Sequence, residues 1–357
     1  MASDLDPRGI DQEPNGQFES RKADHIRLSL SAKNEALGES GLDRIQLIHE
    51  ALPELNFSEV QIHTQSLNKT WKTPFLISSM TAGHTGSVNL NERLARAASL
   101  KGWRMGVGSQ RRELNDPDAA GEWKAIRKVA PHACLYGNLG LAQLIRTEIG
   151  DVERLVESLQ AEGIFIHLNA LQECMQPEGT PSYKGGLNSL EKLCAKLSVP
   201  VILKETGCGF SRETLQRLCG VGLAAVDVSG FGGTHWGRIE GDRTQALDIR
   251  REAAIGLADW GISTVDSVVN ALGVKPKFEV WASGGVRSGQ DAGKLLAMGA
   301  TTIGLAKPIL QAAVQSEEEL VRKMTALEYE LKTVLFCTGA KDISDLQKKK
   351  VWKWRAN

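Results

Sequence analysis

Gly163-Ile-Phe-Ile-His-Leu-Asn-Ala-Leu-Gln-Glu-Cys-Met-Gln-Pro-Glu-Gly179 begins as an apolar strand and ends as a polar loop. Ile164 to Leu168 read as a buried strand. His167, Asn169, Gln172 and Glu173 then fall within seven positions, before Pro177 and Gly179 stop regular structure. A buried strand feeding a polar loop is how an α/β enzyme presents its chemistry. A single histidine there would read as a core residue with a solvated loop behind it; four polar side chains at one strand end point to a site. The Gln172 amide beside the Glu173 carboxylate suits substrate orientation and oxygen ligation of a hard divalent cation.

Outward from this stretch the same pattern repeats. Phe75 to Met80, Trp103 to Val107 and Leu135 to Asn138 precede it; Val199 to Lys204, Ala224 to Ser229, Phe278 to Ser283 and Thr301 to Ala306 follow. Helical periodicity lies between them, as at Leu90, Leu94, Ala97 and Ala98, and at Val152, Leu155, Val156 and Leu159. Eight such units with near-continuous apolar strands predict an α/β fold, a (β/α)8 TIM barrel with an N-terminal extension. The barrel is expected over residues 71–340 and the extension over 21–70, with polar tails at 1–20 and 341–357. Within the extension, Gly41 to Pro53 reads as a short helical segment and Val60 to Thr64 as a strand. The polar, glycine-rich connection from Gly230 through Asp242 reads as a mobile loop above the barrel mouth.

Lys+Arg 43 against Asp+Glu 43 leaves no net charge, which argues against a nucleic-acid or general polyanion binder. The six cysteines, at 134, 174, 194, 208, 219 and 337, show no Cys-x-x-Cys spacing and read as reduced, mostly buried thiols. Neither a signal peptide nor an uncharged apolar span is visible, so a cytoplasmic enzyme without membrane or nucleic-acid partners is expected.

The carboxyl ends of the strands are polar: Thr81, Ser109-Gln-Arg111, Asn138, His167, Lys204, Ser229 through Thr234, Gly284-Gly285-Val-Arg287 and Ala306-Lys307. The amino ends carry little that titrates. Barrel enzymes place their sites on the carboxyl face, so the asymmetry favours function. Gly284-Gly285 after the seventh strand, with Gly304-Leu-Ala306 at the eighth, suits a phosphate cup of backbone N–H groups. Lys204 at the end of an apolar strand needs a partner. A flavin would supply one, and so would a salt bridge to Glu205 or Asp227. Arg21-Lys22 and His25 read either as a solvated charged face or as an arm over an anionic ligand.

Arg21-Lys22 with His25, Met80-Thr81, Ser109-Gln110-Arg111, Asn138, His167-Leu-Asn169 with Gln172-Glu173 and Pro177-Glu-Gly179, Lys204-Glu205, Ser229 to Thr234, and Ala282-Ser-Gly-Gly285 together resemble the type 2 isopentenyl-diphosphate isomerases. The resemblance runs from about residue 21 to the Thr338-Gly-Ala region; Ala82 replaces a glycine more usual there. It implies an FMN-dependent barrel enzyme that interconverts isopentenyl and dimethylallyl diphosphate, using reduced FMN as acid and base for a 1,3 proton shift. FMN would be held by Thr81, Ser109, Asn138, Lys204 and Ser229, and by Thr234, Gly285, Arg287, Ala306 and Lys307. Arg21, Lys22, Arg111, His167, Asn169 and Gln172 would meet the prenyl diphosphate substrate, and Glu173 would hold a bridging Mg²⁺. Gln172, His167 and Lys204 are the implied catalytic group. NADPH would only prime the flavin, and a homo-oligomer, tetramer or octamer, is implied, with Leu310 to Phe336 as a possible helical contact. Rival readings are an FMN-dependent 2-hydroxy-acid oxidase, an inosine-monophosphate-dehydrogenase-like enzyme and a non-catalytic phospholigand-binding barrel. The first would need a histidine and arginine clamp after the sixth strand, and the second a cysteine there.

Overall fold

In the computed structural model, which describes residues 15–80 and 88–356, the eight apolar segments close into one parallel barrel. β1 (Ile45–Leu47), β2 (Thr64–Ser66) and β3 (Lys69–Trp71) come first. The barrel strands are β4 (Phe75–Ile77), β5 (Arg104–Gly106), β6 (Cys134–Gly140), β7 (Gly163–His167), β8 (Val201–Lys204), β9 (Ala225–Asp227), β10 (Glu279–Ala282) and β11 (Thr302–Leu305); β12 (Trp352–Trp354) follows them. Neighbours pair in chain order, and β11 returns to β4 with Ile303 opposite Phe75. The register sets Gly140 opposite His167, His167 opposite Lys204, and Lys204 opposite Asp227. Four strand ends therefore reach the same level.

The barrel strands are buried on both sides, which is why they read as unbroken apolar runs. Tyr136 on β6 and Phe165 on β7 meet Trp281 on β10 at ring separations of 5.9 and 6.0 Å. Strands so far apart in the sheet can touch only across the interior, so these rings, with Leu76, Ile202 and Ala225, fill the barrel. A larger apolar layer lies between the strands and the helices. The β2–β3 hairpin closes the amino end. There the fully buried Arg104 guanidinium sits 5.0 Å from the Trp71 ring and 5.1 Å from that of Trp281. It donates to Thr302 Oγ1 at 2.8 Å and Ser66 Oγ at 3.1 Å, so the floor is a packed plug.

Several local expectations change. The stretch Gly41 to Pro53 is not helical beyond one 3-10 turn at Leu42–Arg44; it continues as β1, paired antiparallel with β12 some three hundred residues on. Tertiary pairing overrides local periodicity here. The strand expected at Val60 to Thr64 begins only at Thr64. Residues 343–349 and 352–354, in the expected C-terminal tail, are a helix and β12. A helix spans Asn15–Leu30, so the arm with Arg21, Lys22 and His25 is helical and starts inside the stretch read as a tail.

The Gly230–Asp242 connection is also a correction, since Trp236–Arg243 is an α-helix. His235 caps it, its Nδ1 accepting the Arg238 N–H at 3.2 Å. Gly237 and Gly241 serve close packing there, because a Cβ on them would meet Leu171 at 3.0 Å and Ala254 at 2.5 Å. All six cysteines are free; Cys174 is exposed and the other five are half-buried, less enclosed than expected. Among the described residues no helix is long and apolar enough to cross a membrane.

Candidate functional site

The carboxyl ends of the strands open onto a dish with two lobes that share His25, Ser79, Met80, Lys204, Thr206 and Trp236. One lobe is built from Ser78, Ser229, Thr234, Ser283 to Arg287, Gly304, Ala306 and Lys307, and encloses about 910 Å³, open solvent at its mouth included. Arg21, Lys22, Ser109, Arg111, Asn138, His167, Asn169, Gln172, Glu173 and Gln176 form the other. Ser109 and Asn138, expected beside the flavin, thus lie with the expected substrate residues. Thr81 lies outside the described residues.

The first lobe is shaped by glycines. Gly284 and Gly285 adopt positive φ, +100° and +69°. A Cβ on Gly284 would strike the Gly230 carbonyl oxygen at 2.2 Å, and one on Gly285 the Gly232 carbonyl oxygen at 2.6 Å. Two glycine runs therefore pack backbone on backbone, and no side chain obstructs the N–H groups. Arg287 and Lys307 add two cations at this end; both reach Glu35, at 2.7 and 2.8 Å. At the other end the Lys204 ammonium lies 2.5 Å from Asp227 Oδ2 and 3.0 Å from Ser283 Oγ. Ser283 Oγ donates in turn to Asp227 Oδ1 at 2.7 Å. Lys204 is thus salt-bridged, and among the described residues one of its three N–H groups remains for the dish. Glu205 folds back to accept the N–H groups of Thr206 at 2.6 Å and Gly209 at 3.2 Å, shaping the turn that brings Thr206 into the dish.

In the second lobe Asn138 fixes His167. The Asn138 amide donates to the Val107 carbonyl at 3.0 Å, so its Oδ1, 2.8 Å from His167 Nδ1, accepts from that ring nitrogen and leaves Nε2 facing the lobe. Burial, then the charges of Lys22, Arg111 and Lys204, bring the His167 pKa down to about 3. Asn169 donates to Glu173 Oε1 at 3.1 Å, and Glu173 Oε2 accepts the Thr180 N–H at 2.5 Å. Tyr183 donates to Asn169 Oδ1 at 2.9 Å, which holds that amide in place.

One residue of the site missing from the sequence reading is Glu240, which is fully buried. Its Oε1 accepts the Gln172 amide at 2.7 Å and lies 2.9 Å from His25 Nε2; its Oε2 pairs with Arg243 at 2.5 Å. Burial works against the Glu240 carboxylate, yet the hydrogen bond from His25 and the charge of Arg243 outweigh it, and the pKa falls to about 2. Burial also lowers the His25 pKa, more than Glu240 raises it. His25 packs edge-on against Trp236, ring centroids 5.2 Å apart, so the helical arm is docked on the Trp236–Arg243 helix. Trp236 and Glu240 are four residues apart, helical spacing that lay hidden in a stretch read as a loop.

The donor set of the first lobe fits FMN. Ser78 and Ser79 have buried hydroxyls with no partner among the described residues, the glycine cradle has no room for side chains, and two cations stand at the cup. For a metal, the described residues hold no cluster of three or more histidine, cysteine or carboxylate groups. Glu173 alone suits a hard cation that takes its remaining oxygens from a ligand and water.

The FMN-dependent dehydrogenase family pattern matches residues 166–353. The fold is similar to a mutant flavocytochrome b2 with pyruvate bound (18% identity, TM-score 0.68, 95% of this chain and 84% of that one). It is also similar to a mutant mandelate oxidase with an FMN adduct (14% identity, TM-score 0.61, covering 95% and 96%). In sequence the chain is 52% identical to the isopentenyl-diphosphate delta-isomerase of Legionella pneumophila strain Corby, over 95% of this chain and 99% of that protein. The enzyme of that name from Bdellovibrio bacteriovorus is 52% identical over the same shares, and that from Archaeoglobus fulgidus 40% identical over 93% and 95%. Identity of this extent across so much of each chain means that the protein belongs to the isopentenyl-diphosphate delta-isomerase family of enzymes.

Proposed function

We propose that the enzyme interconverts isopentenyl and dimethylallyl diphosphate by a 1,3 proton shift, with FMN in the glycine-lined lobe and the diphosphate in the lobe of Lys22, Arg111 and His167. The observation that carries this reading is the continuity of the two lobes through Lys204, Thr206, Met80 and Trp236, which lets a flat ring and a short prenyl chain share one wall. Reduced FMN, when bound, supplies a weak acid and base able to exchange a proton with carbon. The chain's own residues bind and orient. Lys22 and Arg111 would neutralise the diphosphate, and Glu173 would hold Mg²⁺. Gln172 is fixed by Glu240, so its amide positions the substrate and does not titrate. Lys204, held by Asp227 and Ser283, would offer its remaining N–H to the flavin. NADPH serves only to reduce the flavin.

The test is anaerobic incubation with isopentenyl diphosphate, FMN, Mg²⁺ and NADPH. Dimethylallyl diphosphate is the expected product, with deuterium incorporated when the solvent is D₂O. No product, or product free of solvent deuterium, overturns the proton shift. A Glu173→Gln protein with unchanged Mg²⁺ dependence removes that residue from the metal. His235 caps a helix through Nδ1 and is buried, which counts against its use as the base of a hydroxy-acid oxidase.

A further inference from the structure

Residues 34–36 are stitched to the loop that lines the phosphate end of the first lobe. The His235 N–H donates to the Asn34 carbonyl at 2.9 Å and the Ala36 N–H to that of Gly233 at 2.8 Å. Glu35 forms an antiparallel bridge with Thr234, and the Arg238 guanidinium donates to its carbonyl at 2.8 Å. The Glu35 backbone is therefore fixed, and its side chain extends to the cup. One carboxylate oxygen meets Arg287 at 2.7 Å and the other meets Lys307 at 2.8 Å. Lys307 keeps a second anchor, since its ammonium donates to the Ser31 carbonyl at 3.1 Å; at Arg287 the main chain is fixed, its backbone N–H donating to Asp291 at 3.0 Å. Lys307 therefore does not depend on Glu35 alone for its place, and the Arg287 side chain starts from a fixed backbone.

We propose that Glu35 is a built-in competing anion of the phosphate lobe: its carboxylate shares the two cations that would meet the flavin's terminal phosphate and so weakens the hold on that phosphate. This rests on the reading of the lobe as an FMN site. A phosphate monoester carries close to two negative charges near neutrality. Arg287 and Lys307 alone would match them; with Glu35 the three groups sum to a single positive charge. Glu35 adds no hydrogen-bond donor in exchange, since a carboxylate only accepts. The residue therefore sets how readily the cofactor's anionic end is taken up and released, without touching the ring.

Flavin-free protein titrated with FMN, followed by flavin fluorescence, provides the test. Glu35→Gln keeps the shape and removes the charge, and should tighten FMN about tenfold. Inorganic phosphate should also bind the flavin-free protein more tightly in the same variant, while riboflavin, which lacks the phosphate, gains nothing. Glu35→Asp keeps the charge and should stay within about threefold of the native protein. FMN affinity that is unchanged or weaker in Glu35→Gln, or an equal gain for riboflavin, overturns the proposal. A native protein that takes up no FMN instead brings down the flavin reading, and this inference with it.

Discussion

Replacing Lys204 with methionine would strand the Asp227 carboxylate inside the barrel. The two side chains are 6% and 1% exposed and 2.5 Å apart, so neither can turn to water when the other is lost. Removing one member of such a buried pair costs about 3–5 kcal/mol. Ser283 still donates to Asp227, and so does the Ser229 N–H at 3.3 Å, which puts the expected loss toward the lower end. With an unfolding entropy of about 2.1 cal/mol/K per residue, a chain of this length would lose roughly 4–7 °C in Tm. The assay is thermal unfolding of flavin-free protein by circular dichroism, so that cofactor binding does not enter. Adding Asp227→Asn to Lys204→Met removes the stranded charge and should restore most of the loss. The reasoning is refuted if the single variant loses no more than the about 1 kcal/mol of an exposed pair, or if the double variant is as unstable as the single one.

His167 is depressed to about 3 by burial and by neighbouring cations. A free imidazole titrates near about 6.5, so between these values the unfolded chain binds the extra proton, and this stability term is complete above about pH 6.5 and fades as pH falls toward 3. Ring NMR should find His167 neutral at about pH 5 and its pKa raised by added pyrophosphate, which offsets Lys22 and Arg111; titration near 6.5 without ligand contradicts this. Glu240→Gln should leave FMN affinity unchanged while kcat falls by about tenfold or more, because Gln172 and His25 lose their shared anchor; a variant with native kcat shows that this anchor is dispensable. Gly285→Ala places a Cβ against the Gly232 carbonyl and Ser40, and should weaken FMN binding about tenfold with the barrel's circular dichroism unchanged; native affinity would locate the phosphate elsewhere.

The barrel was legible because each strand is buried on both sides and so reads as an apolar run, and because polar residues gather at one end of those runs. His167, Asn169, Gln172 and Glu173 could be placed together since they follow a single strand. Glu240 could not, because its role depends on a helix whose glycines look like loop residues until Leu171 and Ala254 are seen against them. Glu35 escaped for a related reason: only the closed barrel brings it to Arg287 and Lys307, more than two hundred residues later. Ser78 and Ser79 end the first barrel strand in plain sight, yet a serine pair gains meaning only when both hydroxyls prove buried and unpartnered. The β1–β12 pair had no local signal at all, being three residues on each side matched across almost the whole sequence.

That pairing has a consequence for biosynthesis. The segment behind the helical arm finds its hydrogen-bonding mate only when Trp352–Trp354 has been made, long after the barrel's own hairpin and first strands have left the ribosome. During translation Ile45, fully enclosed in the finished molecule, waits with an uncovered edge. Mutations in Trp352–Trp354 would therefore be felt first as poor yield of nascent enzyme, before any defect in turnover.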